Sequence, residues 1–253
     1  MYYIGIDIGS TASKVAILDD EQELISYFTQ PTGWSSVETA ENIKNNLIKE
    51  GFFHDSVIVA TGYGRISVPY AKKTITEITC HGKGAYYLFN ESCTVIDIGG
   101  QDTKVIEINN GNVVNFAMND KCAAGTGRFL ELMAGTLGLS INDLSEMSKQ
   151  GSGTSISSMC TVFAESEVIS LIGSGVSREN IAYGVIESIT SKVKSLCQKQ
   201  NTLGNYILTG GLCENTAVVD SLSRKLGKPV KHHNLGRYAG AIGAALIAKT
   251  INI

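Results

Sequence analysis

The sequence predicts an α/β protein made of two duplicated lobes, and two observations lead to that fold class. Residues 6–15 align with residues 96–105 at an offset of 90, and six of the ten positions are identical. In each copy a short apolar run ends in Asp-Ile-Gly and a second apolar run follows, which is the pattern of a strand, a tight turn and a returning strand. An internal repeat of this size indicates two similar lobes related by a pseudo-twofold axis.

The first half of the chain reads as a three-stranded meander followed by a helix, a further strand and a second helix. Apolar runs predict strands over 2–8, 14–18, 24–28 and 56–60. Ser35 and Glu38 form a capping box, apolar residues recur at helical spacing after them, and Gly51 ends that helix. A glycine-rich loop covers 61–65, and we expect a helix over 77–89 despite its glycines.

The second half repeats the meander, with its third strand over 112–118, and then becomes mainly helical. Helices are predicted to begin near 127, 140 and 160 and to cover 180–199, 217–226 and 240–248, with one strand over 206–209. We therefore expect one lobe over 1–92, on which the C-terminal helix within 240–253 packs. The second lobe is expected over 93–239.

Composition and charge indicate an ordinary globular protein. The 253 residues are 43% hydrophobic and 18% charged, which is sufficient to bury a core. A formal net charge of −3 gives no electrostatic reason to expect nucleic acid or an acidic membrane as a partner. The N-terminal run has no leader pattern and the apolar stretches are shorter than a membrane span, so we expect a cytoplasmic location.

The glycine turns can bind phosphate, because glycine lets backbone N–H groups approach an anion closely. Asp7 and Asp97 are expected at strand ends, where they can hold Mg²⁺ through water, and Lys14 can add a positive charge. Gly210 and Gly211, after another strand, offer a third backbone approach for a nucleoside. A single glycine pair is better explained as a tight hairpin, but duplication of the Asp-containing turn makes phosphate binding the preferred interpretation.

Two of the six cysteines, Cys122 and Cys160, each precede an apparent helix start. In a cytosolic chain such residues are more often metal ligands or redox groups than disulfides, and a helix N-terminus favours the thiolate. A [4Fe–4S] cluster takes four thiolates and one chain offers two, so this interpretation requires a twofold dimer with the cluster on its axis. Buried structural cysteines, or a four-cysteine zinc site in a dimer, explain the spacing equally well.

Three glycine motifs resemble the phosphate-1, phosphate-2 and adenosine motifs of the acetate kinase, sugar kinase, heat-shock-70 and actin superfamily. They are Ile6-Asp7-Ile8-Gly9-Ser10-Thr11, Asp97-Ile98-Gly99-Gly100-Gln101-Asp102 and Leu208-Thr209-Gly210-Gly211. The stretches 119–131 and 160–168 narrow the resemblance to the activators of 2-hydroxyacyl-CoA dehydratases and the related ATPase subunits of benzoyl-CoA reductases. The run Ser157-Ser158-Met159-Cys160 and the compact length resemble the branch that serves double-cubane-cluster proteins.

This resemblance implies a fold and a set of site residues. The fold is two actin-like ATPase (ribonuclease H-like) lobes with a nucleotide cleft between them, in a homodimer that holds one bridging [4Fe–4S] cluster. Its cluster ligands fall on Cys122 and Cys160. Asp7 and Asp97 are the expected Mg²⁺ residues, and Gln101 and Asp102 are expected to position the attacking water. The implied ATP contacts lie in three loops: Gly9, Ser10, Thr11, Ala12, Ser13, Lys14, Gly99, Gly100, Gln101, Gly210, Gly211 and Glu214.

One position departs from the family pattern. Arg237 stands where the dehydratase activators tend to carry Gln, so the resemblance assigns it no nucleotide contact.

The function implied is that of an ATP-dependent iron–sulfur reductase. ATP hydrolysis would change the angle between the lobes and drive a low-potential electron from the dimer-bridging cluster to an iron–sulfur acceptor. The acceptor would be a 2-hydroxyacyl-CoA dehydratase or a double-cubane-cluster protein, and the electron donor a ferredoxin or flavodoxin. Two rivals are a small-molecule kinase of the same fold, for which we find no acceptor motif, and a nucleotide-dependent scaffold whose metal only holds the dimer.

Overall fold

The computed structural model describes residues 1–157, 160–200 and 204–251. The chain divides into two compact units. The first comprises Met1–Ser92, Glu107–Val114 and the C-terminal segment from Leu235, and the second comprises Cys93–Ile106 and Asn115–Asn234. Among the described helices, none combines the length and the hydrophobicity that a membrane span needs.

The first part of the chain forms five strands and two helices. They are β1 (Tyr2–Ile8), β2 (Ala12–Leu18), β3 (Leu24–Pro31), α1 (Ser36–Lys49), β4 (Ser56–Thr61), β5 (Lys73–Thr74) and α2 (Glu77–Phe89). A short 3-10 turn over Arg65–Ser67 follows β4. As predicted, the Ser35 side chain caps α1 by accepting a hydrogen bond from the Glu38 N–H at 3.3 Å.

The rest of the chain adds five strands and six helices among the described residues. They are β6 (Cys93–Ile98), β7 (Thr103–Asn109), β8 (Asn112–Asn119), α3 (Gly127–Thr136), α4 (Ile141–Ser148), α5 (Thr161–Gly173), α6 (Arg178–Cys197), β9 (Asn205–Gly210), α7 (Thr216–Leu226), β10 (Val230–His232) and α8 (Ala239–Lys249). A 3-10 turn over Gly236–Tyr238 leads into α8. Helix α6 begins two residues before the predicted start because Ser177 caps it.

The two sheets have the same strand order, which confirms the predicted duplication of an α/β lobe. One sheet runs β3-β2-β1-β4-β5, and the other, read from its far edge, runs β8-β7-β6-β9-β10. Each strand of the first sheet therefore has a counterpart five strands later. In both sheets the central strand pairs in parallel with the strand that follows the first crossover: β1 with β4, and β6 with β9.

Glycines in α2 and α8 explain why a glycine-containing segment is nevertheless helical. A Cβ built on Gly84 would lie 1.9 Å from the Ala239 carbonyl oxygen, and one on Gly243 would lie 1.8 Å from the Cys80 carbonyl oxygen. A Cβ on Gly5 of β1 would lie 1.8 Å from the Ala241 carbonyl oxygen. Because no side chain intervenes, α8 packs directly against α2 and β1 within the first unit, and this packing compensates for the low helix propensity of glycine.

The core of the second unit forms around α3 and α6. The predicted apolar stripe of α6 is buried throughout: Ile181, Val185, Ile189, Val193 and Leu196. Phe129, Leu130 and Met133 of α3 are buried in the same cluster. Burying a side chain of this size contributes about 1.5–3 kcal/mol, so the two helices are held firmly against the sheet that carries the second glycine turn.

Candidate functional site

The first glycine turn joins β1 to β2 and carries a buried carboxylate. Asp7 lies opposite Lys14 on one side and opposite Thr61 on the other. Its Oδ1 atom is buried and has no hydrogen-bond partner among the described residues. A Cβ on Gly62 would lie 2.4 Å from that oxygen, and a Cβ on Gly240 would lie 2.7 Å from Oδ2. The carboxylate thus sits between two glycines, in space that any other residue would fill.

The second glycine turn carries a buried ion-pair cluster in place of a lone carboxylate. Lys104 Nζ lies 2.7 Å from Asp102 Oδ2 and 3.5 Å from Asp97 Oδ2, and all three side chains are buried. Thr209 donates a hydrogen bond to Asp97 Oδ1 at 3.2 Å. Gln101, between these groups in sequence, is exposed. The role of Gln101 and Asp102 in positioning a water stays a prediction, and the geometry gives Asp102 a second role as the main partner of Lys104.

The third glycine turn follows β9 and lies beside the second. Gly210 has φ +84°, and a Cβ there would lie 2.4 Å from the Ile98 carbonyl oxygen and 2.7 Å from Asp97 Oδ1. Gly211 is exposed and faces open space, and Glu214 lies in the turn that leads into α7. The second unit therefore brings the predicted phosphate-2 and adenosine residues together, whereas Gly9 to Lys14 and Asp7 lie in the first unit.

Cys122 and Cys160 line the same cavity in the second unit. The cavity has a volume of about 550 Å³, and its lining also includes Lys192 and Lys199 of the α6 region. Both cysteines are exposed, while the other four are buried. Burial raises the pKa of Cys80 and of Cys197 to about 12, which keeps those two thiols protonated. The pair singled out by the sequence is thus also the pair that a metal can reach.

Side-chain hydrogen bonds hold the turn that carries Cys122. The Asn119 amide donates to the carbonyl oxygens of Cys122 at 2.8 Å and Ala124 at 3.0 Å. Thr103 Oγ1 donates to the Gly125 carbonyl oxygen at 2.6 Å, and this bond is buried. Gly125 has φ +92°, a conformation that favours glycine. The turn is therefore fixed from β8 on one side and from the start of β7 on the other.

The same turn is bonded directly to the second glycine turn. At the start of α3, the Gly127 N–H donates to the Gly99 carbonyl oxygen at 2.8 Å, and the Arg128 N–H donates to the Gly100 carbonyl oxygen at 2.9 Å. These N–H groups have no partner within their own helix. A displacement of the glycine turn is therefore expected to displace the start of α3.

The two cysteines differ in their relation to the helices that follow them. Cys160 is the N-cap of α5, and its carbonyl oxygen accepts the first helical hydrogen bond, from Ala164 at 2.9 Å. The predicted helix start near 127 is confirmed, since α3 begins at Gly127 with Thr126 as its N-cap. Cys122 lies outside that helix, so the expectation that its thiol stands at a helix N-terminus is wrong. The positive φ of Gly125 makes a tight turn between that cysteine and the helix. Ser158 and Met159, in the run before Cys160, lie outside the described residues.

Some residues of the site were not identified from the sequence. Lys192 belongs to a helix 70 residues beyond Cys122, and its neighbours in sequence give no local motif. Thr103 occupies the position of Ser13 in the duplication, but the repeat does not indicate that its hydroxyl bonds the cysteine turn. Arg237 lies in the 3-10 turn before α8, in the first unit.

The chain is similar to known proteins over nearly its whole length. The chain is 42% identical over 252 residues to the (R)-2-hydroxyglutaryl-CoA dehydratase activating ATPase of Acidaminococcus fermentans, covering 98% of this chain and 97% of that one. The structure of the activator of 2-hydroxyisocaproyl-CoA dehydratase from Clostridium difficile with bound ADPNP matches with a TM-score of 0.91 at 37% identity, covering 100% of this chain and 99% of that one.

A more distant likeness concerns the fold alone. A ROK family glucokinase from Streptomyces griseus matches with a TM-score of 0.64 at 15% identity, covering 99% of this chain and 100% of that one. The family model of the BadF/BadG/BcrA/BcrD ATPases matches residues 4–248. The predicted family and the predicted actin-like fold class are confirmed. The chain belongs to the BadF/BadG/BcrA/BcrD ATPase family.

Proposed function

We propose that this protein is an ATP-dependent activator that delivers a low-potential electron to an iron–sulfur partner enzyme. Two copies hold one [4Fe–4S] cluster, and the acceptor is a 2-hydroxyacyl-CoA dehydratase or a double-cubane-cluster protein. The donor is a ferredoxin or flavodoxin. The observation that carries this proposal is that two exposed cysteines line one cavity, and that the helix start following one of them, Cys122, is bonded to a glycine turn through backbone groups.

The nucleotide part of the proposal rests on the ATPase family and on the glycine turns. A relative of similar size has been solved with ADPNP, an analogue of ATP. The residues that would contact ATP are those of the three loops from Gly9 to Lys14, Gly99 to Gln101 and Gly210 to Glu214. A buried carboxylate oxygen without a protein partner fits a hydrated Mg²⁺, because that ion keeps several waters and takes one or two carboxylates. Asp7 supplies such an oxygen.

The donor set at the cavity fits an iron–sulfur cluster. Its described lining residues include two thiols and neither a carboxylate nor an imidazole. Two thiols per chain meet the four-thiolate requirement when two copies join. When bound, the cluster supplies one-electron chemistry at low potential. Cys122 and Cys160 would hold it, and the hydrogen-bonded turn around Cys122 would position that ligand.

Coupling between the two sites follows from the hydrogen bonds at the start of α3. ATP binding and hydrolysis change the charge next to the turn of Gly99 and Gly100, whose carbonyl oxygens accept from Gly127 and Arg128. Any movement of that turn passes to α3 and to the cysteine turn that precedes it. This movement changes how far the cysteine site is exposed to a docked partner.

Anaerobic purification tests the proposal directly. We expect a brown protein with about two iron atoms per chain, since four iron atoms are shared by two chains, and dithionite should reduce it by one electron per dimer. Cys122→Ser should lose the iron and retain ATP binding. Cys197→Ala is the matched control, because that buried thiol has a raised pKa and lies outside the cavity lining.

The same experiment separates the rivals. A colourless dimer loaded with zinc would contradict electron transfer and support the scaffold. A Cys122→Ser variant that still phosphorylates a small-molecule acceptor at the wild-type rate would support the kinase.

A further inference from the structure

The cavity that holds the two cysteines is positively charged. Of its described lining residues, Lys192 and Lys199 are charged, and no carboxylate belongs to the lining. Both lysines come from α6 or the turn directly after it. An anionic group in this cavity therefore meets two ammonium groups with no opposing negative charge from the same walls.

Lys192 is the better anchored of the two. Its side chain is half-buried, and its Cβ lies 3.1 Å from the position that a Cβ on Gly125 would take. The stem therefore packs against the turn that begins at Cys122. Lys199 is exposed, so water and salt screen its charge more strongly.

No described carboxylate forms an ion pair with Lys192. The nearest acidic residue on the same helix, Glu187, is already engaged: Lys225 Nζ lies 2.8 Å and Arg224 3.1 Å from its oxygens, and Ser221 donates to it at 2.6 Å. These contacts keep the pKa of Glu187 below its usual value against the opposing effect of burial. The charge of Lys192 is thus left for the cavity.

We infer that Lys192 tunes the reduction potential of the cluster site formed by Cys122 and Cys160. This inference rests on the proposed function. One-electron reduction would add one negative charge to the cluster that the cysteines hold, and a nearby fixed positive charge stabilises the reduced form more than the oxidised form. Lys192 acts by placing a fixed positive charge near the cysteines. Removing that charge should make the reduction potential more negative.

The test compares four single substitutions in the full-length holoprotein. Lys192→Gln removes the charge, and Lys192→Arg keeps it. Lys199→Gln removes the exposed charge, and Lys194→Gln removes a charge of the same helix outside the cavity lining. The midpoint potential is measured by dithionite titration with electron paramagnetic resonance detection, and iron is assayed for each variant.

We expect Lys192→Gln to shift the potential to more negative values, Lys199→Gln to shift it less, and the other two to leave it near wild type. Lys192→Met keeps the apolar stem and replaces the glutamine variant if that variant unfolds. If Lys192→Gln folds but loses its iron, the potential of Lys192→Met is compared with that of Lys194→Gln in the same way. Equal potentials in Lys192→Gln and Lys194→Gln overturn it. Absence of iron from the wild-type protein overturns the proposed function instead.

Discussion

The two duplicated turns share the same strand–turn–strand backbone but differ in whether the Asp carboxylate has partners within the protein. In the second unit the turn carboxylate is neutralised: Asp97 pairs with Lys104 and accepts from Thr209. In the first unit Asp7 has the equivalent neighbours, Lys14 and Thr61, but its Oδ1 atom has no described hydrogen-bond partner. Lys14 is half-buried and forms no ion pair with a described carboxylate. One copy is satisfied within the protein, whereas the other keeps a buried carboxylate oxygen without a described hydrogen-bond partner.

The two copies differ at the third residue after the glycine that they share, Gly9 or Gly99. Position 102 is Asp, and its counterpart in the first copy is Ala12. The Asp102 carboxylate forms an ion pair with Lys104, which is buried. Ala12 has no carboxylate to pair with Lys14. The difference teaches that two copies of one turn can satisfy their carboxylates differently: the second copy does so within the protein, and under the proposed function the first copy does so with metal.

The largest expected effect comes from breaking the satisfied copy. Lys104→Met leaves Asp97 and Asp102 as buried carboxylates without their cation, and breaking such a buried pair costs about 3–5 kcal/mol. Lys14→Met should cost less than about 1 kcal/mol, because no described ion pair is lost. Urea unfolding of both variants measures the free energy of unfolding. Equal losses in the two variants would contradict the difference between a turn whose lysine is held by buried carboxylates and one whose lysine is not.

The second-largest expected effect concerns Asp7 of the first turn, whose Oδ1 atom has no described hydrogen-bond partner. Asp7→Asn should lower ATP hydrolysis by on the order of a hundredfold, which corresponds to about 2.7 kcal/mol of transition-state stabilisation. Its stability should be equal or higher, because a buried charge without a protein partner is costly. The counterpart Asp97→Asn should lose stability, because Lys104 loses one of its two carboxylates. The Mg²⁺ dependence of hydrolysis, measured beside urea unfolding, checks both expectations. Normal hydrolysis by Asp7→Asn would remove Asp7 from the metal site.

Much of the fold follows from the sequence because it is encoded locally. The duplicated Asp-Ile-Gly turns, the cap at Ser35 and the apolar stripe of α6 all rest on neighbours in the chain, and the structure contains each of them. The two exposed cysteines were also identified from their local motifs.

The rest depends on contacts between distant segments. The buried pair of Asp102 and Lys104 could not be predicted from the repeat, because the aligned lysine of the first copy, Lys14, is only half-buried. The separation of Cys122 from its helix depends on the positive φ of Gly125, and the approach of Lys192 depends on the packing of α6. Such features become predictable only when the neighbours of each turn are known.

The smallest expected effect tests the link between the second turn and the cysteines. Thr103→Val removes the 2.6 Å bond to the Gly125 carbonyl oxygen and leaves that buried group without its donor. Its counterpart Ser13 bonds Thr32 at 2.8 Å instead. We expect Thr103→Val to hydrolyse ATP at a near wild-type rate. The second measurement is the rate at which a chelator removes iron with and without ATP, and the ratio of these two rates should be smaller in Thr103→Val than in the wild type. The reduction should be on the order of tenfold, since an unsatisfied buried carbonyl costs about 1–3 kcal/mol.

Ser13→Ala should show the reverse pattern: weaker ATP binding, and an unchanged response of the cluster once ATP saturates. The two variants therefore separate nucleotide binding from its transmission to Cys122. If Thr103→Val and Ser13→Ala give the same response to saturating ATP, the bond from Thr103 to Gly125 does not carry the signal. The backbone bonds of Gly127 and Arg128 to Gly99 and Gly100, which are still present in the valine variant, would then be the remaining route of transmission.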